Sequence, residues 1–404
     1  MALPVTIAAD TVAQNSYHGP FKSSGGAFYT ILENATPDGN IEAWKATDPT
    51  SSFAEQDSGT RPNFVAAALS LNVFQDGDLL HVAAQNSSDD VYYARFNMAS
   101  DVWDTPDATN EEELVDGAPN GTTDACDIAV LSAAYGTGGT HVKIRVVYQG
   151  ATDMDMGSNF ERVDESNSVD DGATWSAVTQ IDNGASAAAI HYIGPRIVLP
   201  PSNSDQCHVF MNDATVLAHR AIAGDDTLRT YQKSSSFPVA ATDYPLTHGI
   251  GFLRSSVSKV RIGFQNLSNS DLTVLEFDAF TDDSDPGPEP ESTVHADDVQ
   301  TDNLSIDACL AVDGSTIRGL YVKATNDDLF EFDDGDSDTY TVQSTAHVTG
   351  TVNHISCNVY DRSGAKLAMI YDDAGTVKYD EIDLAVAAAF FPPFRPKQNT
   401  LLRM

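Results

Sequence analysis

Carboxylates dominate the chemistry open to this chain, with 59 Asp and Glu residues against 22 Lys and Arg. Two carboxyl groups facing each other across a cleft, about 5–10 Å apart, can cleave a glycosidic bond. Asp124, Asp127 and Asp307 fall in or beside small-residue, strand-like runs and are the first candidates for such a pair. Solvated or turn-capping roles are the competing account of each. Asp334-Gly335-Asp336-Ser337-Asp338 has the alternating spacing that presents Asp334, Asp336 and Asp338 to calcium. Thr339 and Thr345 stand where a calcium loop needs glycine and an acid, so an acidic hairpin is the alternative. His208 and His219 could face each other across a hairpin centred near Asp213, as half of a zinc site. Cys126, Cys207, Cys309 and Cys357 show no metal spacing and read as small buried hydrophobes. A phosphate-cradling glycine loop, a Ser-His-Asp signature and a basic nucleic-acid face are all missing from the sequence.

One motif is specific. Ser168, Asp170, Gly172, Thr174 and Trp175 complete the pattern S-x-D-x-G-x-T-W, and Asp48-Pro49-Thr50-Ser51-Ser52-Phe53 is a degenerate copy. Its chemistry is that of a folding device. The Asp170 carboxylate can accept bonds from its own turn, Gly172 permits a backbone angle that side chains resist, and Trp175 can pack between sheets. The pattern resembles the Asp-box of the sialidase-like β-propeller superfamily, whose members include enzymes and non-enzymes. That resemblance implies a propeller with the turn between the second and third strands of its unit, counted from the hairpin. A sialidase would add three arginines for the substrate carboxylate, a Tyr–Glu nucleophile and an acid/base Asp. The nearest stretch to the first arginine's setting is Gly194-Pro195-Arg196-Ile197-Val198-Leu199-Pro200, midway along the chain. Arg145, Arg261 and Arg318 recur on strand-like runs, where neutralising nearby Asp is an equal explanation. The resemblance therefore assigns no catalytic residue.

The elements that would position these groups repeat. Ala27–Glu33, Leu79–Asn86, Val142–Gln149, Cys207–Met211, Val260–Gln265, Thr316–Lys323 and Lys366–Tyr371 read as strands at intervals that suit propeller blades. Each precedes a turn rich in Asn, Asp, Gly or Ser and a second apolar run. In Val142–Gln149 apolar residues alternate with Lys143, Arg145 and Gln149, the period of a strand with one buried face. Small-residue runs before the hairpins suit crowded inner strands, and the shared Asp-Ala-Cys of 124–126 and 307–309 marks them as equivalent. The expectation is an all-β, single seven-bladed β-propeller of four-stranded antiparallel blades, six blades being the alternative. Blades should start near residues 16, 66, 125, 189, 247, 305 and 349 of a 1–389 body. The last lacks an outer strand, which Pro4–Ala9 could supply, closing the ring and removing a free edge. Residues 281–298, acidic and proline-rich, read as a solvated loop, and 390–404 as a basic tail carrying Arg395, Lys397 and Arg403.

A net charge of -37 keeps such a body soluble and repels nucleic acid and anionic membranes. High-salt adaptation, calcium-binding turns and acidic hairpins in a salty or extracellular setting are its possible origins. Met1–Thr6 has neither a basic nor an apolar signal-peptide region, and no window reaches the roughly 18 apolar residues of a membrane span. These features together point to a non-enzymatic structural or adhesive protein. A virion component (tail, fibre or capsid-associated) fits them, and Ser24–Asp57 resembles blades of uncharacterised Asp-box propeller proteins of tailed viruses. Expected partners are other structural proteins of an assembly, reached through Arg395, Lys397 and Arg403, and a host surface glycan; no cofactor beyond calcium is implied. The alternatives are a glycoside hydrolase working from the funnel and a calcium- or carbohydrate-binding module of a halophilic microbe.

Overall fold

The structure is a computed structural model. It describes residues 3–8, 17–33, 38–105, 112–117, 125–135, 139, 141–150, 162–181, 192–199, 206–213, 216–229, 232–233, 252–255, 259–266, 271–278, 291–295, 306–310, 317–334, 340–343, 345–361 and 365–384. Among these no residue is helical, and no helix is long and apolar enough to cross a membrane. The strands form seven antiparallel sheets, each a blade, running outward from an inner strand.

The N-terminal strand β1 (Val5–Ala8) belongs to the last blade. Blade one comprises β2 (Tyr17–Lys22), β3 (Phe28–Glu33), β4 (Ile41–Ala46) and β5 (Ala54–Gln56). Blade two has β6 (Ala68–Asp76), β7 (Leu79–Asn86) and β8 (Val91–Asn97). Its outer edge is split between β9 (Val102–Trp103) and β10 (Glu112–Asp116), which both pair with β8. Blade three is β11 (Cys126–Tyr135), β12 (His141–Gly150), β13 (Arg162–Ser168) and β14 (Thr179–Gln180). Blade four is β15 (Tyr192–Val198), β16 (Gln206–Asp213), β17 (Val216–Ala223) and β18 (Gln232–Lys233). In blade five stand β19 (Phe252–Ser255), β20 (Lys259–Asn266), β21 (Asp271–Asp278) and β22 (Glu291–His295). Blade six holds β23 (Ile306–Leu310), β24 (Ile317–Val322), β25 (Leu329–Asp334) and β26 (Tyr340–Val342). Blade seven is β27 (Val352–Asp361), β28 (Ala365–Asp373) and β29 (Thr376–Asp383), with β1 as its outermost strand.

The molecule is thus a seven-bladed propeller, closed by pairing Val5 with Tyr379 and Thr6 with Lys378. The first and last described strands, β1 and β29, share one sheet, which closes the ring. The acidic 281–298 stretch departs from its reading as loop. Glu291–His295 forms β22 against Leu272–Glu276, because the Ser-Thr-Val run has strand propensity that the preceding prolines mask in a composition window. Residues 281–290 and 385–404 lie outside the described residues.

Apolar burial falls at the seams. Phe21, Tyr29, Ile31 and Ile41 of blade one meet Leu71, Leu80 and Val82 of blade two. Val198, Phe210 and Leu217 meet Leu253, Val260 and Ile262 between blades four and five. Leu272 and Val274 meet Ile306 and Ile317 between five and six, and Leu320 and Leu329 meet Leu367 and Met369 between six and seven. The last seam packs Phe28, Leu32 and Phe53 against Tyr360, Ile370 and Tyr379. A blade hides neither face alone, so each depends on its neighbours.

Candidate functional site

The inner strands carry polar groups near the axis, and several of these bond to the next blade. Ser70 Oγ accepts the Cys126 N–H at 3.0 Å, while Asn72 Nδ2 donates to the Cys126 carbonyl at 2.5 Å. Asp127 Oδ1 takes the N–H of Ile128 at 2.9 Å, and Oδ2 takes that of Ile197 in blade four at 3.0 Å. Asp307 repeats the pattern with Ala308 at 2.8 Å and Cys357 of blade seven at 2.8 Å. Ser356 Oγ accepts the Gly19 N–H at 3.2 Å, joining blade seven to blade one. Arg254 donates to Asp307 at 2.5 Å and Arg196 to Asn72 at 2.9 Å. Burial pushes the Asp127 carboxyl up, with Arg196 the strongest opposing charge. Asp127 and Asp307, two of the three carboxylates that the sequence nominates for acid–base work, are therefore engaged as inter-blade acceptors. Asp124 lies outside the described residues.

This geometry corrects one equivalence. The shared Asp-Ala-Cys triplets align Asp124 with Asp307, but the residue that does in blade three what Asp307 does in blade six is Asp127. The register is set by the bond to the next inner strand, which a three-letter match does not report.

The Ser168–Trp175 turn joins β13 to β14, the third and fourth strands once the inner strand is counted. Ser168 Oγ donates to Asp170 Oδ1 at 2.7 Å and accepts the Gly172 N–H at 2.9 Å. Asp170 also accepts the Thr174 N–H at 2.9 Å and its hydroxyl at 2.6 Å. Burial raises the Asp170 carboxyl, but the bonds from Thr174 and Ser168 outweigh it and hold it low. Gly172 has φ +100°, and Trp175 meets Tyr93 of blade two edge-on with centroids 5.3 Å apart. Asp48 holds Thr50 in the same way in blade one, through bonds of 3.0 Å and 2.8 Å. All these contacts lie within the turns or against the neighbouring blade.

His208 Nδ1 lies 2.8 Å from His219 Nε2, with the rings stacked at 5.1 Å and Phe210 against His219. The two imidazoles face each other across the β16–β17 hairpin as expected, but their facing nitrogens bond to one another. Among the described residues no group of three or more His, Cys, Asp or Glu is placed to hold a metal ion. Asp334 ends β25, while Asp336, Asp338, Arg395, Lys397 and Arg403 fall outside the described residues. The four cysteines are buried and none is joined in a disulfide. Arg145 and Arg318 neutralise neighbouring acids: Arg145 bonds Glu165 and Asp226, each at 2.6 Å, and Arg318 pairs with Asp333.

Burial pushes both His81 and His219 down to about 3. Unfolded, such rings take up a proton near pH 6.5. Stability owed to the neutral buried rings is whole above pH 6.5 and drains as pH falls toward 3, by about 1.4 kcal/mol per pH unit for each ring. Buried carboxyls with raised pKa, Glu33, Asp127 and Glu165, work in the opposite direction. His219→Phe should therefore flatten the pH dependence of unfolding free energy between pH 6 and 4 by about 1.4 kcal/mol per unit, measured by urea titration. An unchanged gradient would mean that His219 is not neutral and buried.

Outside the axis stands a cluster that the sequence reading did not single out. Glu42 and Trp44 share one face of β4, opposite Leu32 and Thr30 and turned towards blade seven, where Trp44 packs partly on the closing seam. Trp44 Nε1 donates to Glu42 Oε2 at 2.8 Å. Arg61 Nη1 reaches Glu42 Oε1 at 2.8 Å and Glu55 Oε1 at 3.1 Å. Glu55 is the cross-strand partner of Trp44. Arg61 and Glu55 are 29% and 24% exposed at their side chains, so the group is reachable from solvent yet held in place. Burial raises the Glu42 carboxyl against the pull of Trp44 and Arg61. A half-buried indole beside carboxylates and a guanidinium offers an apolar face and planar hydrogen-bonding edges together. The sequence signal was the i, i+2 spacing of Glu42 and Trp44; Arg61 joins only through the fold.

No family model and no curated protein matches this chain. Among solved structures, the BP39L lectin from Burkholderia pseudomallei aligns over 94% of this chain and 99% of its own, at 12% identity and a TM-score of 0.58. The Dos1 propeller aligns over 88% of this chain and 76% of its own, at 11% identity and a TM-score of 0.51. An alpha-L-arabinanase from Penicillium chrysogenum, complexed with arabinobiose, aligns over 95% and 98% at 12% identity and a TM-score of 0.48. At these identities the likeness is one of fold.

Proposed function

We propose that this chain is a non-enzymatic adhesive propeller that binds a neutral glycan at the Trp44 cluster, on the face of blade one turned towards blade seven. The cluster of Trp44, Glu42, Glu55 and Arg61 carries the reading. Its indole suits the apolar face of a sugar ring, while its carboxylates and guanidinium suit hydroxyl pairs. Two carboxylates against one guanidinium, on a body of net charge -37, disfavour an anionic sugar. The propeller likeness to a bacterial lectin over nearly the whole chain is consistent with this use. A hydrolase acting from the funnel has less support, since Asp127 and Asp307 spend their oxygens on backbone N–H groups of neighbouring blades.

The setting proposed is a virus particle, with Arg395, Lys397 and Arg403 of the basic 390–404 segment meeting other proteins of the assembly. That part rests on the sequence alone, and locating the chain in purified particles tests it.

Binding is tested on an array of neutral and sialylated glycans. The expected result is retention on neutral glycans, weakened about tenfold or more by Trp44→Ala and by Arg61→Met, both folded by circular dichroism. Retention on none of the array, or retention untouched by either substitution, would remove the Trp44 cluster as the site.

A further inference from the structure

Two of the buried cysteines lie close together. Cys309 on β23 and Cys357 on β27 come from the inner strands of blades six and seven, and their Sγ atoms are 3.9 Å apart. Cys309 Sγ also contacts the Arg318 carbonyl at 3.5 Å, while Cys126 Sγ contacts the Ser70 carbonyl at 3.5 Å and Cys207 Sγ the Ile222 carbonyl at 3.7 Å, each away from the pair. The inner strands around the pair are fixed by Asp307, which takes the Cys357 N–H at 2.8 Å. Leu320, Val352, Ile355 and Met369 belong to the same buried core cluster as both cysteines.

We infer that Cys309 and Cys357 form a redox-responsive clasp, a disulfide that ties blade six to blade seven beside the closing blade. A bond requires sulfurs about 2 Å apart, so they must approach by a little under 2 Å, within reach of side-chain rotation and a small strand shift. The oxidant is a low-molecular-weight disulfide. One cysteine thiolate attacks it, forming a mixed disulfide and releasing one small thiolate. The second cysteine thiolate then displaces the other small thiolate, leaving the Sγ309–Sγ357 bond. The two protons given up by the cysteines pass to the two released thiolates, and two electrons move from the protein to the oxidant. Because the pair is buried, exchange waits on transient opening of the seam and is slow.

The linked segment spans 48 residues of chain, enough for a substantial loss of unfolded-state freedom. The experiment incubates the full chain with excess oxidised glutathione, then blocks free thiols and digests without reductant. The expected product is a peptide pair joined through Cys309 and Cys357, about 2 Da lighter than its separate parts. The melting temperature should rise by about 5 °C and return on reduction, and the Cys309→Ala chain should show neither change. Four free thiols after exposure that oxidises a control dithiol would overturn the inference. So would a bond involving Cys126 or Cys207, or a joined pair that leaves melting unchanged.

Discussion

Arg145→Met should cost the fold about 3–5 kcal/mol, read as a fall in the urea midpoint of unfolding. Arg145 is fully buried on β12 and bonds Glu165 of its own blade, itself 2% exposed. It also reaches across the seam to the Ala223 carbonyl at 2.8 Å and to Asp226 at 2.6 Å in blade four. Lys143 joins the same Asp226 and donates to the Gly224 carbonyl at 2.9 Å. Removing the guanidinium strands Glu165 as a buried, uncompensated charge. The pair itself contributes little net stability over an apolar replacement, because both ions were drawn out of water to make it. Arg145→Met with Glu165→Leu should therefore recover at least half of the loss. Burial already pushes the Glu165 carboxyl up and Arg145 is the chief force against it, so the single variant's deficit should shrink as pH falls and Glu165 takes a proton. A single variant within about 1 kcal/mol of the parent, or a double variant no better than the single, would refute this account.

Gly172→Ala is the second large effect, at about 3 kcal/mol or more. Two penalties add. The backbone sits at φ +100°, where a side chain is strained, and an added Cβ would stand 2.3 Å from Cε1 and 2.8 Å from Cζ of Tyr93. That ring cannot swing aside. It is fully buried, its hydroxyl lies 2.8 Å from His81 Nδ1, and Trp175 packs on it. Thermal melting of Gly172→Ala beside Gly172→Ala with Tyr93→Leu separates the two penalties. The double variant should melt no lower than the sum of independent losses predicts, since the collision is then gone. An alanine that melts with the parent would show that the seam between blades two and three is looser than its contacts imply.

The blades were legible because hairpins announce themselves. Leu79–Asn86 is a strand at the bounds that its apolar run and flanking turn suggest. The Ser168–Trp175 turn is closed by residues within eight positions, with Asp170 accepting bonds from Ser168 and Thr174 and Gly172 at φ +100°. Closure by the N-terminus was legible too, from one blade short of a strand and one strand without a blade. What pattern could not give is what only neighbouring blades decide. Asp127 and Asp307 read as free acids because their partners, the N–H groups of Ile197 and Cys357, stand 70 and 50 residues away. The Glu42, Trp44 and Arg61 cluster went unseen for a related reason: its residues look ordinary one by one, and 19 residues separate Glu42 from Arg61.

The union of β1 with β29 also decides when the molecule exists at all. Until Thr376–Asp383 has emerged from the ribosome, Val5–Ala8 has no sheet to join, and a nascent chain carries six blades with an unlatched end. The same pairing, Val5 with Tyr379 and Thr6 with Lys378, is the one contact through which two copies would have to exchange a strand, since it is the latch of the ring.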